Sequence, residues 1–123
     1  MGIAKESFQK IVEKMNDNSK VEQVFITDVA GKAMDWDMTF QFNLDDEEPF
    51  YVQIKARVVK IFEGEASEPD ILMTGDKNAI ARICEGKGDF THAISREEIT
   101  VEKGKVIDVI RLTRAISIVL KPK

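Results

Sequence analysis

An α+β fold, with a twisted and mainly antiparallel sheet of about five strands covered by helices, is what this sequence predicts. Three observations carry that expectation. Apolar residues recur at helical spacing at both ends of the chain, they alternate singly with polar residues in the middle, and Gly, Asn, Asp and Pro mark the changes of period. The 123 residues fit a single domain, 1–123, long enough to bury a core without disulfide or metal.

Ala4, Phe8, Ile11, Val12 and Met15 lie on one side of an opening amphipathic helix, with Lys and Glu on the other. Asn16, Asp17 and Asn18 break it. Ser19 and Glu22 have the spacing of a capping box, which predicts a short second helix carrying Val21, Val24, Phe25 and Val29 and ending near Gly31, although Val24 to Thr27 is also β-rich. From Trp36 the period becomes two: Trp36, Met38, Phe40, Phe42 and Leu44 alternate with polar residues as a strand. Asp45 to Pro49 form a turn, and Phe50, Val52 and Ile54 form a second strand paired antiparallel with the first.

Two readings then fit equally. Either this strand runs on through Ala56, Val58 and Phe62, or Ala56 and Arg57 make a tight turn that brings Val59 and Ile61 opposite Ile54 and Val52. The turn needs positive φ at two residues ill suited to it. Beyond a loop at Gly64 to Pro69, Asp70 to Thr74 form a strand, and Asp76 caps a helix with Ala79, Ile80, Ile83 and Cys84 that stops at Gly86. Asp89 caps a short helix through Ile94, Ile99 and Val101 lie on a strand closed by Lys103 and Gly104, and a final helix runs from Val106 to Leu120. There Val106, Ile107, Val109, Ile110, Leu112, Ile116, Val119 and Leu120 cover more than one narrow stripe.

Composition excludes several functions. Hydrophobic residues make up 43% and charged residues 33%, a globular balance, and no segment reaches the roughly 20 apolar residues of a membrane span. A net charge of −4 argues against nucleic acid. One cysteine, Cys84, forbids an internal disulfide, and the charged amino-terminal segment lacks a signal-peptide core, so a cytoplasmic location is expected. Lys121-Pro122-Lys123 is not a peroxisomal address.

Catalytic motifs are sparse. His92 is the sole histidine, Cys84 falls on a buried helix face, Gly86-Lys87-Gly88 reads as a helix stop, and Asp45 to Glu48 lack the spacing of a calcium loop. No cofactor, metal or catalytic residue is expected. Arg111 and Arg114 read as a solvated helix face, with contact to a lipid headgroup as the alternative.

The order of elements resembles the lipid-transfer domain of the sterol carrier protein family. Glu68-Pro69-Asp70-Ile71-Leu72-Met73-Thr74 is similar to its Pro-Asp-plus-strand segment, followed by a helix, the Gly86-Lys87 pair, the short helix from Asp89 to Ile94, the strand Ile99 to Gly104 and the last amphipathic helix. The specific likeness lies in this second half. Two positions depart: Arg96, Glu97 and Glu98 stand where the family often has a glycine, and Ala56-Arg57 stands where it tends to have Asp-Gly or Asn-Gly.

The resemblance implies an apolar cavity between sheet and helices that binds a sterol-like lipid, fatty acid, acyl-CoA or phospholipid, with the last helix as wall or lid. Phe40, Phe42, Met73, Phe90, Ile94, Leu112 and Ile116 are the candidate lining, and each equally suits an ordinary core. One alternative is an interaction or homodimerisation module that buries the apolar face of Val106 to Leu120. Another is an enzyme acting on a thioester or similar apolar substrate, which lacks a nucleophile and base.

Overall fold

The computed structural model describes residues 3–120. Lys121-Pro122-Lys123 therefore lie outside the described residues. Helix α1 (Ile3–Asn16) buries Ala4, Phe8, Ile11, Val12 and Met15, the stripe its sequence spacing predicts. The acidic turn at 45–48 serves this helix: the Glu47 carboxylate accepts hydrogen bonds from the free amides of Ala4 and Lys5, at 3.1 and 3.0 Å.

Helix α2 (Ser19–Val24) is shorter than expected and differently capped. Asn18, not Ser19, supplies the cap, its Oδ1 accepting from Lys20 N at 2.9 Å and Val21 N at 3.4 Å. The predicted helix to Gly31 is replaced after Phe25 by a hairpin, β1 (Ile26–Val29) and β2 (Lys32–Asp35). Branched Ile26, Thr27 and Val29 favour the strand, and Ala30 and Gly31 both take positive φ, which suits a tight hairpin turn.

The main sheet has the order β5-β4-β3-β6-β7, with β3 (Met38–Leu44), β4 (Phe50–Lys55), β5 (Val58–Glu63), β6 (Ile71–Gly75) and β7 (Ile99–Lys103). Only the central β3–β6 pair is parallel. Trp36 precedes β3 rather than opening it, and its amide donates to the Phe25 carbonyl at 2.8 Å. Of the two readings after Ile54, the tight turn is the one formed. Ala56 and Arg57 hold φ of 51° and 66°, and the register sets Ile54 opposite Val59 and Val52 opposite Ile61.

Three helices follow the predicted positions. Asp76 caps α3 (Lys77–Cys84), Asp89 caps α4 (Phe90–Ser95), and α5 (Val106–Leu120) ends the described chain. The helices pack on the sheet face that carries Phe40, Phe42, Val52, Ile54, Ile71 and Met73, and one buried apolar cluster joins the two layers. Asn16 fastens α1 to the outer edge of β5: its amide donates to Val59 O at 2.9 Å and accepts from Val59 N at 2.8 Å. On the opposite sheet face, Gln41 is the one buried polar residue among those described. Its Nε2 faces Phe50 O and Gly64 O, and its Oε1 accepts from Ala66 N at 2.7 Å, which binds the 64–69 loop down.

Candidate functional site: the apolar interior and its roof

Pleat and helix period together decide which side chains converge. Phe40 and Phe42 share a face of β3, and the parallel register sets Phe42 opposite Met73 of β6. Opposite that face, α4 contributes Phe90 and α5 contributes Leu112 and Ile116. All six are buried at 2% exposure or less, while Ile94 is partly buried and packs against the same cluster. The seven residues expected from the sequence to line a cavity thus belong to one apolar interior, closed over in this conformation. Aromatic packing is dense there: Phe42 stacks on Phe50 with ring centroids 5.0 Å apart, and Phe8 sits 5.3 Å from Phe42.

Helix α5 forms the roof of this interior and packs against α1, α2 and α4. Its inner stripe is Val109, Leu112, Ala115 and Ile116. Ile118, Val119 and Leu120 near its end are partly buried against the same cluster, whereas Val106, Ile107 and Ile110 are exposed, Ile107 by 70%. Open grooves flank the helix on both sides. One, of about 300 Å³, lies against the Gly86–Gly88 turn and is lined by Ile83, Thr113, Ile116, Ser117 and Leu120. Ile116 is the one member of the seven that reaches this groove. The other, of about 670 Å³, runs between α5 and α2 over Val24, Ile26, Ile107, Ile110 and Ile118, with Lys20 and Arg114 among its lining.

Arg111 corrects the expectation of a solvated face. Its guanidinium donates to Val24 O (2.6 Å), Ile26 O (2.6 Å) and Thr27 Oγ1 (2.8 Å), and lies 4.6 Å from the centre of the Trp36 ring. Partial burial pulls its pKa down, against the opposing pull of Asp108. The helix is therefore clamped in the first half of its length, beside α2 and β1. Nothing in the one-dimensional pattern distinguishes this arginine from Arg114, because the two carbonyls and the hydroxyl it binds lie 84 to 87 residues earlier.

Of the titratable candidates, His92 stands outside the interior and Cys84 lies within its apolar cluster. His92 is exposed and its Nδ1 lies 3.0 Å from Asp89 Oδ1, an oxygen that also accepts from the His92 amide as the α4 cap. Cys84 is buried, and desolvation pushes its thiol pKa far up. Among the described residues no three His, Cys, Asp or Glu side chains converge as metal ligands, and no helix is long and apolar enough to cross a membrane.

Comparison with known proteins places this architecture. Residues 19–105 match the sequence model of the SCP-2 sterol transfer family. No curated protein matches the sequence. Among solved structures, a sterol carrier protein 2 crystal structure superposes with a TM-score of 0.62 at 14% identity, covering 100% of this chain and 98% of that one. Sterol carrier protein 2 of Aedes aegypti, solved in complex with the C16 fatty acid palmitate, gives 0.64 at 17% identity over 97% of both chains. A sec-alkylsulfatase from Pseudomonas gives 0.56 at 16% identity, but the match covers 71% of this chain and only 13% of that protein.

Proposed function

The chain belongs to the SCP-2 sterol transfer family, and from that premise we propose that it carries a hydrophobic small molecule, a fatty acid or other lipid, between its sheet and the roof helix α5. Palmitate bound to the Aedes relative supports that ligand class. The observation that carries the reading is the construction of the roof: an apolar interior is covered by a helix with open grooves along both flanks, and Ile116 belongs to interior and groove at once. Phe40, Phe42, Met73, Phe90, Ile94, Leu112 and Ile116 are the proposed lining.

The physics asks for little else. Each buried CH₂ contributes about 0.8 kcal/mol, so a long acyl chain gains on the order of 10 kcal/mol before the costs of ordering and of opening the protein. The interior is closed here, so a ligand must make its room. The Arg111 clamp holds the first half of α5, which leaves the end from Ile116 onward, beside the Gly86–Gly88 turn, to swing outward on loading. Met73 adapts to the guest through its flexible thioether. The whole chain acts as one unit, in the cytosol, and the reading assigns it no bond-making step.

Titration with an environment-sensitive fluorescent fatty acid tests this. Saturable uptake near one molecule per chain is expected, reduced about tenfold or more by Ile116→Trp, which fills the space where groove and interior meet. Absence of uptake by the unaltered chain ends the proposal. Undiminished uptake by Ile116→Trp removes the site.

A further inference from the structure

We infer that the hairpin β1–β2 and the outer face of α5 together form a docking surface for an anionic lipid bilayer. Five of the eight large apolar residues left exposed among the described residues fall on these two elements: Val29, Met34, Val106, Ile107 and Ile110. Arg111 joins the elements physically. The antiparallel register sets Thr27 opposite Met34 and Val29 opposite Lys32, so these four side chains share one face of the ribbon, and the Thr27 hydroxyl on that face receives the Arg111 guanidinium. Ile107 and Ile110 lie within one turn of Arg111 on α5 and line the same groove.

Charge selects the occupant. The chain carries −4 overall. This surface nevertheless carries Lys20 and Arg114 in the groove and Lys32 on the hairpin face, none of them in an ion pair among the described residues. The hairpin sorts its charges by face: Lys32 stands with Val29 and Met34, whereas Asp28 and Asp35 point the other way, Asp35 to Arg57 at 2.8 Å. Asp108 is the acidic residue in the groove. A second copy docked here by two-fold symmetry would present a surface of the same basic excess. A bilayer bearing anionic headgroups meets both requirements, since it takes up scattered apolar tips without a shaped counterpart and attracts the surrounding lysines. The outer face of α1, with Glu6, Gln9, Lys10 and Glu13, has a single exposed apolar tip, Ile3, and no basic excess.

Flotation with vesicles tests the surface, comparing pure phosphatidylcholine with an equimolar mixture of phosphatidylcholine and phosphatidylserine. Binding is expected on the anionic vesicles and not on the neutral ones, lost at ~1 M salt, where the screening length falls to about 3 Å. The double substitution Val29→Glu with Met34→Glu should weaken it about tenfold or more, and Lys32→Gln or Lys20→Gln about fivefold each. Val58→Glu, an equally exposed apolar site at the β4–β5 turn, should leave it unchanged. Fatty-acid uptake is read on the same proteins, and the hairpin substitutions should not alter it, so failure of docking and failure of the carrier reading are told apart. Thermal melts confirm folding, and Val29→Ser with Met34→Ser replaces the glutamates if those variants do not fold. Equal binding to both vesicles, no binding, or equal loss in Val58→Glu overturns the inference. So does concentration-dependent dimerisation that the hairpin substitutions abolish.

Discussion

Replacing Glu97 by glycine should stabilise this protein, although glycine usually weakens a folded chain. Glu97 follows the C-cap of α4 and holds φ of 63°. Its amide donates to Ile94 O at 3.1 Å and the next amide, of Glu98, donates to Ala93 O at 2.9 Å, the paired bonds of a Schellman ending whose left-handed position usually falls to glycine. The side chain is exposed, and it is Glu98 that pairs with Arg82. Left-handed backbone costs a residue with a Cβ about 1–2 kcal/mol, and glycine returns about 0.5–1 kcal/mol of that through the freedom it adds to the unfolded chain. The net expectation is a gain of about 0.5–1 kcal/mol, or roughly 2–4 °C in Tm at this size. Glu13→Gly, the same exchange at an exposed position within α1, should lose about 0.5–1 kcal/mol. Urea unfolding with an unchanged m-value and a thermal melt read both variants. A Tm that falls for Glu97→Gly as it does for Glu13→Gly would refute the assignment of backbone strain to Glu97.

Cys84 should resist a thiol reagent in the native state and react only on unfolding. Because burial raises its pKa, the folded state keeps a proton that the unfolded chain releases above pH ~8.5, so stability should fall with rising pH there by up to about 1.4 kcal/mol per unit. Cys84→Ala should lack that slope, and unfolding midpoints measured at pH 8 and at higher pH settle it. Gln41→Leu should cost about 2–3 kcal/mol in denaturant unfolding, because the Ala66 amide and the Gly64 carbonyl lose a buried partner. Arg111→Lys should cost about 1–2 kcal/mol and shift the emission of Trp36, the sole tryptophan, since an ammonium cannot span the carbonyls that the guanidinium fork reaches.

What the sequence disclosed follows the range over which each signal acts. The stripe of α1, the alternation of β3 and β4 and the caps at Asp76 and Asp89 are local, and each is found where spacing predicts it. The second helix was over-extended because Val21, Val24, Phe25 and Val29 fit a helical period while branched Ile26, Thr27 and Val29 favour strand, and the Ala30-Gly31 turn decides between them. The turn at Ala56-Arg57 ran against residue preference. It forms because Val52, Ile54 and Val59 gain burial on the helix-covered face, and Asp35 meets the Arg57 guanidinium. Convergence of the seven candidate residues could be read from face parity, since inward positions of adjacent elements must meet. The Arg111 clamp could not, because two of its three acceptors are backbone carbonyls, which leave no trace in side-chain pattern, and the third, the Thr27 hydroxyl, is 84 residues away in the chain.

The central claim is that lipid occupies the space under α5. Native mass spectrometry of freshly purified protein, followed by organic extraction and identification of what is released, addresses it most directly. The account predicts a species carrying one lipid per chain, with the bound form depleted in Ile116→Trp. A bare chain that also refuses added fatty acid would contradict it.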